Sequence, residues 1–256
     1  MANGTSGDLL KGILSLSGNS KVIVHGGGPT VTSVCERMGI KPVFVKSPDG
    51  LRSRYTDSET IEAYIMAMRG KINSDIVLGL QRLGRNAVGI SGIDGPTFIA
   101  ERKKKLITIN EKGRKMFIEG GFTGKIVRSD PEIVTSIMES GRIPVLSPIA
   151  LSTEFEALNV DGDRAASAIA GAIQADELIL LTNVDGVLNE GKTVDRILLR
   201  DLPSYIENVG NGMDKKLIAA GEALKGGCRK VIIANGRYAG TVEGLSHSGR
   251  GTVITA

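Results

Sequence analysis

Three glycines follow directly after an apolar segment in "KVIVHGGGPTV", which runs from Lys21 to Val31. Glycine costs about 0.5–1 kcal/mol relative to alanine inside a regular element, so three in succession indicate a turn whose backbone comes close to another group. Pro29 is favoured in the first turn of a helix and predicts a helix after the turn. Free N–H groups at a helix N-terminus bind anions. The segment therefore predicts a phosphate- or carboxylate-binding loop, and a tight turn without a ligand is the alternative.

Charged side chains in two later segments fit the same chemistry. "LNVDGDRAA" places Asp161 and Asp163 on either side of Gly162 at the start of a predicted helix. One carboxylate can cap that helix, and the other can organise cations. "GNGMDKKL" places Lys215 and Lys216 near a helix start, where the helix dipole disfavours cations and a functional role is therefore favoured. Amides, lysines and an aspartate around anions are the components of phosphoryl transfer.

A third loop follows the apolar segment "ELILLTNVDGVL". Its polar residues are predicted to line a nucleotide pocket, although an Asx turn explains them equally well. These residues are Thr182, Asn183, Asp185 and Gly186. Two histidines and two cysteines are too few and too dispersed for the usual zinc patterns, so no metal site is predicted. Walker A, G-x-G-x-x-G and G-x-S-x-G motifs are absent from the sequence.

Apolar strand patterns alternate with helical patterns, and this order positions the loops. It predicts the α/β class, as a three-layer α/β/α sandwich around a mostly parallel sheet, in which ligands bind at the carboxyl ends of strands. The first strand is predicted at Lys21–His25, and one long helix at Ser58–Gly84. "KLITIN" and "KMFIEG" predict an antiparallel hairpin inserted in this framework. No linker divides the chain, so a single domain over 1–256 is expected.

Basic residues are concentrated around that hairpin. From Glu101 to Arg128 there are nine Lys or Arg and three Asp or Glu, whereas the rest of the chain has 23 basic and 25 acidic residues. Such a patch indicates an acidic partner, or else a Lys-rich edge that resists strand pairing. Aromatic residues make up only 4%, which disfavours a nucleic-acid surface built on stacked rings. No apolar segment approaches the roughly 20 residues of a membrane span, and the first residues do not read as a signal peptide.

Six motifs in order connect these observations: "VHGGGPTV", "GLRSRYT", "IPVLSPIA", "LNVDGDRAA", "LLTNVDGVL" and "GMDKKL". Over nearly its whole length the sequence resembles the amino acid kinase family, in the acetylglutamate kinase branch. The resemblance implies transfer of the γ-phosphoryl group of ATP, with Mg²⁺, to a carboxylate by a homodimer. It also implies a substrate-binding half, about 1–150, and an ATP-binding half, about 151–256.

The resemblance further implies a role for individual residues. Gly27 and Gly28 would bind the transferring phosphoryl and the substrate carboxylate. Lys216 would neutralise the leaving phosphate, and Asp163 would orient lysines. The implied sets are Lys216 and Asp163 for catalysis, Gly27, Gly28, Arg52 and Asn159 for substrate, and Thr182, Asn183, Asp185 and Gly186 for the nucleotide.

Within the branch, "RSRYTDSET" and "GGFTGKI" resemble the kinases that phosphorylate aminoadipate or glutamate attached to a small acidic amino-group carrier protein. Those kinases serve lysine and arginine biosynthesis in the cytoplasm. The alternatives are an N-acetyl-L-glutamate kinase that acts on the free amino acid and a non-catalytic amino-acid-binding regulatory protein. Residues predicted to dock the carrier are Arg102, Lys103, Lys104, Lys105, Arg114 and Lys115.

One feature departs from the family pattern. The family opens with a strand bearing Lys-x-Gly-Gly, and the present sequence contains no such motif. Lys11 lies in a predicted helix and does not match. We expect the first family strand to be missing and the activity to be reduced, since loss of one electrostatic stabiliser commonly costs about 10²–10³ in kcat.

Overall fold

A computed structural model describes residues 7–16, 18, 20–48, 52–109, 114–210, 212–237 and 251–256. Within these ranges the α-helices are α1 (Gly7–Ser15), α2 (Gly28–Arg37), α3 (Ser58–Ile65), α4 (Asn73–Arg82), α5 (Glu132–Glu139), α6 (Gly162–Ala172), α7 (Leu202–Asn208) and α8 (Met213–Lys225). Each described helix is too short or too polar to cross a bilayer.

The first sheet is parallel throughout and carries the glycine loop. Its order is β1–β9–β4, formed by β1 (Ile23–Val24), β9 (Ile143–Ser147) and β4 (Ala87–Ser91). All five residues of β9 are buried, as expected of a strand covered on both faces. β1 is shorter than the predicted Lys21–His25, because pairing with β9 is confined to two residues. The carboxyl ends of these strands place the glycine loop beside Ser91 and Ser147.

The second sheet continues from the first after only one residue, Pro148. Its order is β11–β10–β5–β8, formed by β11 (Ala157–Asn159), β10 (Ile149–Ser152), β5 (Phe98–Arg102) and β8 (Gly124–Ser129). β10 runs parallel to β5, whereas its pairing with β11 is antiparallel. Asn159 pairs with Ile149, two residues beyond the end of β9, so β11 ends at the same edge as the glycine loop.

The third sheet belongs to the second half of the chain. Its order is β12–β16–β17–β15, formed by β12 (Leu178–Thr182), β16 (Lys230–Asn235), β17 (Thr252–Thr255) and β15 (Arg196–Leu198). Two-stranded hairpins are formed by β2 (Phe44–Lys46) with β3 (Arg52–Arg54), β6 (Lys105–Ile109) with β7 (Lys115–Glu119), and β13 (Leu188–Asn189) with β14 (Lys192–Thr193). The predicted hairpin is confirmed as β6–β7, and its connecting residues 110–113 lie outside the described residues.

Helices cover both faces of the first sheet. Neighbouring residues of β9 point to opposite layers: Val145 packs with Leu80 of α4, and Leu146 packs with Ile169 of α6. The third sheet packs against α6 and α8 through a separate cluster that includes Leu217. Burying each such side chain contributes about 1.5–3 kcal/mol. The α/β class is therefore confirmed, although antiparallel pairs are more numerous than the predicted mostly parallel sheet implied.

The predicted long helix is interrupted in its middle. Met66–Ile72 is π-helical, between α3 and α4. The N–H of Asn73 donates to the carbonyl of Met68, five residues back. Such π turns occur frequently at functional sites. Here the segment lies beneath the glycine loop, since a Cβ added at Gly27 would collide with Ile72 Cδ1.

Candidate active site

The glycine loop, Gly26–Gly28, is open to an anion. Gly26 and Gly28 are exposed and Gly27 is half-buried. None of the described residues accepts a hydrogen bond from the backbone N–H of these three glycines. α2 begins at Gly28 without a side-chain cap and with Pro29 in its first turn. Three amides and the positive end of a helix are thus available at one point on the surface.

The start of α6 lies directly against this loop. A Cβ added at Gly162 would lie 3.7 Å from the carbonyl oxygen of His25 and 3.8 Å from Gly26 Cα. Asp161 caps α6, because its Oδ1 accepts the N–H of Asp163 at 3.1 Å and a second helix amide at 3.2 Å. Of the two predicted carboxylates, Asp161 is therefore the cap, and Asp163 remains to bind a cation.

Asp163 forms an ion pair with Lys216 of α8. Lys216 Nζ lies 2.8 Å from Oδ1 and 3.1 Å from Oδ2 of the carboxylate. The two side chains are only 15% and 28% exposed, respectively. Burial raises the pKa of Asp163, and the Lys216 ammonium acts in the opposite direction. The pair fixes a cation at the start of α6, which lies against the glycine loop; its catalytic role stays a prediction.

Arg54 of β3 is a site residue that sequence reasoning missed. Its Nη2 donates to the Gly28 carbonyl at 3.0 Å and to Thr32 Oγ1 at 2.7 Å, and the guanidinium lies 4.8 Å from the ring centroid of Phe44. Its Nη1 is buried and has no partner within the described part of the chain. Since an unpaired buried donor costs about 1–3 kcal/mol, Nη1 is suited to an anionic ligand. The Arg-x-Arg spacing was the available signal; the predicted Arg52 lies in β3, but its side chain is outside the described residues.

Asn159 is held at the same edge by hydrogen bonds to two other segments. Its Nδ2 donates to Thr56 Oγ1 at 3.0 Å, and its backbone N–H donates to the Phe122 carbonyl at 2.9 Å. The N–H of Phe122 in turn donates to the Thr56 carbonyl at 2.7 Å. The next hydroxyl, Thr123 Oγ1, is buried without a partner in the described residues. Asn159 and Thr123 thus present polar groups beside the loop that precedes α3.

The predicted nucleotide loop follows β12. Asn183 and Asp185 are exposed, and Asp185 Oδ1 accepts a hydrogen bond from Asn235 Nδ2 at 2.8 Å. Thr182 pairs with Asn235 across β12 and β16. Asn235, which the sequence analysis did not select, therefore fixes this loop at the carboxyl edge of the third sheet.

Gly186 has a packing reason to be glycine. It is buried, and a Cβ would lie 2.7 Å from Thr252 Oγ1. That hydroxyl also accepts the N–H of Val187 at 2.8 Å. This packing alone accounts for a glycine at the position, so nucleotide binding by Gly186 stays a prediction.

The predicted carrier-docking residues separate into two groups. Arg102 is engaged within the chain: it donates to the Gly121 carbonyl at 2.7 Å and to Glu156 at 2.9 Å. Burial lowers the pKa of Lys103, and Arg164 lowers it further, which places Lys103 in the electrostatic neighbourhood of the α6 N-terminus. Lys103 is nonetheless exposed, as are the other residues, which lie on the β6–β7 hairpin or at its ends, namely Lys104, Lys105, Arg114 and Lys115.

One face of the β6–β7 hairpin combines these cations with apolar side chains. Ile107 pairs with Phe117 across the hairpin, and they are 44% and 70% exposed. Lys105 and Lys115 lie two residues from this pair, one on each strand, and so share its face. This exposed face is therefore apolar at its centre, with Lys115 toward one end and Lys105 opposite Glu119 at the other.

Among the described side chains, no group of three or more His, Cys, Asp or Glu is arranged to hold a metal ion. Asp161 is occupied by helix amides, and Asp163 by Lys216. These two carboxylates at the start of α6 are thus committed to other partners.

Comparison with known proteins agrees with this architecture. The amino acid kinase family matches residues 8–235. A protein of Saccharolobus islandicus named LysW-aminoadipate/LysW-glutamate kinase is 49% identical over 220 residues, 85% of this chain and 83% of that protein. A protein of Saccharolobus solfataricus with the same name matches to the same extent. The crystal structure of smu.665 from Streptococcus mutans has a TM-score of 0.76 at 25% identity and covers 100% of this chain and 94% of that chain.

The matched residues include the glycine loop, the Asp163–Lys216 pair and the loop after β12, and the match extends over most of the sequence. The chain therefore belongs to the amino acid kinase family.

Proposed function

We propose that this kinase transfers the γ-phosphoryl group of ATP to the side-chain carboxylate of L-2-aminoadipate, L-glutamate or both, attached to a small acidic amino-group carrier protein. The product is an acyl phosphate. The observation that carries the reaction type is the Asp163–Lys216 ion pair beside three unpaired glycine amides. The relatives' names support the choice of substrate.

The attacking carboxylate oxygen is already an anion, so the reaction requires no general base. The difficulty is the approach of two anions, which fixed amides and cations reduce. Amides of Gly27 and Gly28 would hold the transferring group. Lys216 would neutralise charge on the phosphate, and Asp163 holds its ammonium in place.

Substrate binding would fall to residues of β3 and β11. Arg52 would bind the α-carboxylate, a bidentate task suited to guanidinium. Arg54 Nη1 offers a second donor, and Asn159 a polar contact to the substrate backbone. These residues connect the first half of the chain, about 1–150, with the beginning of the second.

ATP would lie over the second half, about 151–256, against Thr182, Asn183, Asp185 and Gly186. Because the carboxylates of Asp161 and Asp163 are committed to other partners, we infer that Mg²⁺ enters as a component of the ATP complex. The metal would neutralise phosphate charge there.

The carrier would dock on the β6–β7 hairpin. Its exposed cations attract an acidic protein and increase the association rate. The hairpin is anchored close to the substrate residues, since Lys103 N–H donates to the Thr123 carbonyl at 2.9 Å. Ile107 and Phe117 supply apolar surface that charge alone does not provide.

The direct test offers ATP with carrier-linked aminoadipate, carrier-linked glutamate or free N-acetyl-L-glutamate, and traps acyl phosphate with hydroxylamine. We expect hydroxamate only from the carrier conjugates. Turnover of the free amino acid alone would identify an N-acetyl-L-glutamate kinase. No hydroxamate from any acceptor, with ligand binding retained, would favour a non-catalytic regulatory protein.

Docking is tested by reversing Lys104, Lys105 and Lys115 to Glu. We expect the KM for the carrier conjugate to rise at least tenfold at low salt, with the KM for ATP unchanged, because steering acts on the charged partner alone. The matched control reverses Lys192, Arg200 and Lys225, which are exposed cations outside the hairpin. Equal effects of the two triple variants would refute docking on the hairpin.

We also propose a cytoplasmic homodimer. Met66 and Leu78, 52% and 53% exposed on the helical layer, offer apolar surface for a second copy. Cys35 and Cys228 are free and buried, as suits a reducing compartment. Sedimentation equilibrium of the wild type and of Met66→Glu/Leu78→Glu tests the dimer; an unchanged mass would exclude this surface.

A further inference from the structure

A buried polar network lies directly beneath the glycine loop, and the proposed mechanism does not use it. His25, which ends the segment leading into the loop, is 6% exposed. Its Nδ1 lies 3.1 Å from the carbonyl oxygen of Gly26. Its Nε2 lies 3.2 Å from Ser147 Oγ at the end of β9. The imidazole thus connects the loop to the sheet below.

Asn73 completes the network from the helical layer. It is the first residue after the π-helical segment and is 1% exposed. Its Nδ2 lies 3.3 Å from His25 Nε2 and 2.9 Å from the carbonyl of Val145. Residue 89 must lack a side chain to admit this amide, because a Cβ at Gly89 would collide with Asn73 Oδ1. Four segments, β1, β4, β9 and the π-helical turn, therefore meet at one hydrogen-bonded group.

The Gly26 carbonyl determines the role of one imidazole nitrogen. A carbonyl oxygen only accepts, so Nδ1 must be the donor to Gly26. Asn73 Nδ2 has two hydrogens and lies within 3.3 Å of four acceptors, the carbonyls of Ile90 and Val145, Ser147 Oγ and His25 Nε2. Burial lowers the pKa of His25 and thereby favours the neutral ring. Charged groups that adjoin the network are Arg69, 3.4 Å from Asn73 Oδ1, and Asp94, 3.6 Å from Arg69. On the other side the α6 N-terminus approaches through Gly162.

The Gly26 carbonyl and the Gly27 N–H belong to the same peptide group. In a trans peptide these two bonds point in opposite directions. A carbonyl held inward by His25 therefore directs the Gly27 N–H outward, to the side where the loop is open. If the carbonyl were released, the peptide plane could rotate and the amide would no longer face the anion.

We propose that His25 is a positioning residue: through the Gly26 carbonyl it orients the Gly27 amide toward the transferring phosphoryl group. This inference rests on the proposed phosphoryl transfer. It assigns the histidine no contact with substrate. It also explains why the loop reads His-Gly-Gly-Gly, with a hydrogen-bond donor before glycines that cannot fix their own backbone.

Two conservative variants separate this role from simple packing. In His25→Asn the amide nitrogen occupies the place of Nδ1 and can donate to Gly26, whereas in His25→Gln it occupies the place of Nε2 and cannot. We expect His25→Gln to lower kcat about 10- to 100-fold, since small displacements of a reacting group have effects of this order. His25→Asn should retain most of the activity. Thermal unfolding of both variants, within a few degrees of each other, checks that they fold alike.

A second measurement does not depend on the acceptor. An amide directed at the γ-phosphoryl favours ATP over ADP. Calorimetric titration with each nucleotide should therefore show a lower ratio of ATP affinity to ADP affinity in His25→Gln than in the wild type, and a preserved ratio in His25→Asn. Equal ratios and equal kcat in the two variants would overturn the inference. Failure of the wild type to phosphorylate any carrier conjugate would overturn the proposed substrate and leave the nucleotide ratio to decide the role of His25.

Discussion

Replacing Lys216 with Met tests the central electrostatic element of the site. Lys216 Nζ lies within 3.1 Å of both Asp163 oxygens, so the variant leaves a largely buried carboxylate without its cation. Breaking a fully buried pair costs about 3–5 kcal/mol. The side chains here retain 15% and 28% exposure. We therefore expect Lys216→Met to lower the free energy of unfolding by about 1–3 kcal/mol, a value between those of fully buried and surface ion pairs.

The catalytic effect of the same change should be larger than this structural effect. Loss of one electrostatic stabiliser lowers kcat by about 10²–10³, or roughly 3–4 kcal/mol in the transition state. Hydroxamate formation gives kcat, and urea unfolding gives the free energy of unfolding. Lys225→Met is the matched control, because Lys225 is exposed at the other end of α8 and should be neutral in both assays.

A double-mutant cycle with Asp163→Asn then decides whether the two residues act together. If Asp163 works by holding the ammonium, the double variant should be scarcely slower than Lys216→Met alone. Strictly additive losses in kcat would refute this coupling. Undiminished kcat in Lys216→Met would refute the assignment of Lys216 to the phosphoryl site.

Three further predictions follow from contacts around the loop. Arg54→Met should raise the KM for the carboxylate substrate about 10- to 100-fold, because a charge-assisted hydrogen bond contributes roughly 1.5–3 kcal/mol; an unchanged KM in steady-state assays would remove Arg54 from the site. Gly89→Ala should destabilise the fold by about 1–3 kcal/mol in urea unfolding through its collision with Asn73, whereas Gly70→Ala, where a Cβ meets open space, should be tolerated. The free energy of unfolding should fall as pH decreases below about 6.5, the ordinary pKa of histidine. The reason is that the pKa of His25 is lowered in the folded state, so the unfolded chain binds more protons in this range. His25→Asn should flatten that pH dependence, and an identical slope in the variant would contradict the buried neutral imidazole.

Local signals in the sequence were sufficient for the elements that carry the site. Gly28 with Pro29 identifies the start of α2, and the Asp161 cap identifies the start of α6, because turn and capping preferences depend on neighbouring residues alone. The alternation of strand and helix patterns predicted the α/β class, because the periodicity of apolar residues is likewise a local signal.

Residues whose roles depend on distant partners were missed. Asn73 looks like an ordinary helical residue until the π turn directs it at β9, and π turns have no local sequence signature as reliable as a cap. Arg54 could be distinguished from Arg52 only by its contacts with the Gly28 carbonyl and Thr32. The packing of Gly186 against Thr252 was likewise not foreseen, because a packed glycine and a ligand-binding glycine have the same sequence pattern; its nucleotide role stays a prediction.

The π-helical turn sets where the helical layer can lose a residue. Adjacent residues of an α-helix differ by about 100° around its axis. A π turn holds one residue more than an α turn, so removing one residue between Met66 and Ile72 would restore ordinary winding and leave the face of α4 nearly unchanged. Removing one residue from α4 would instead rotate every later residue of that helix by about 100°. A one-residue deletion should therefore be tolerated better in the π-helical segment than in α4.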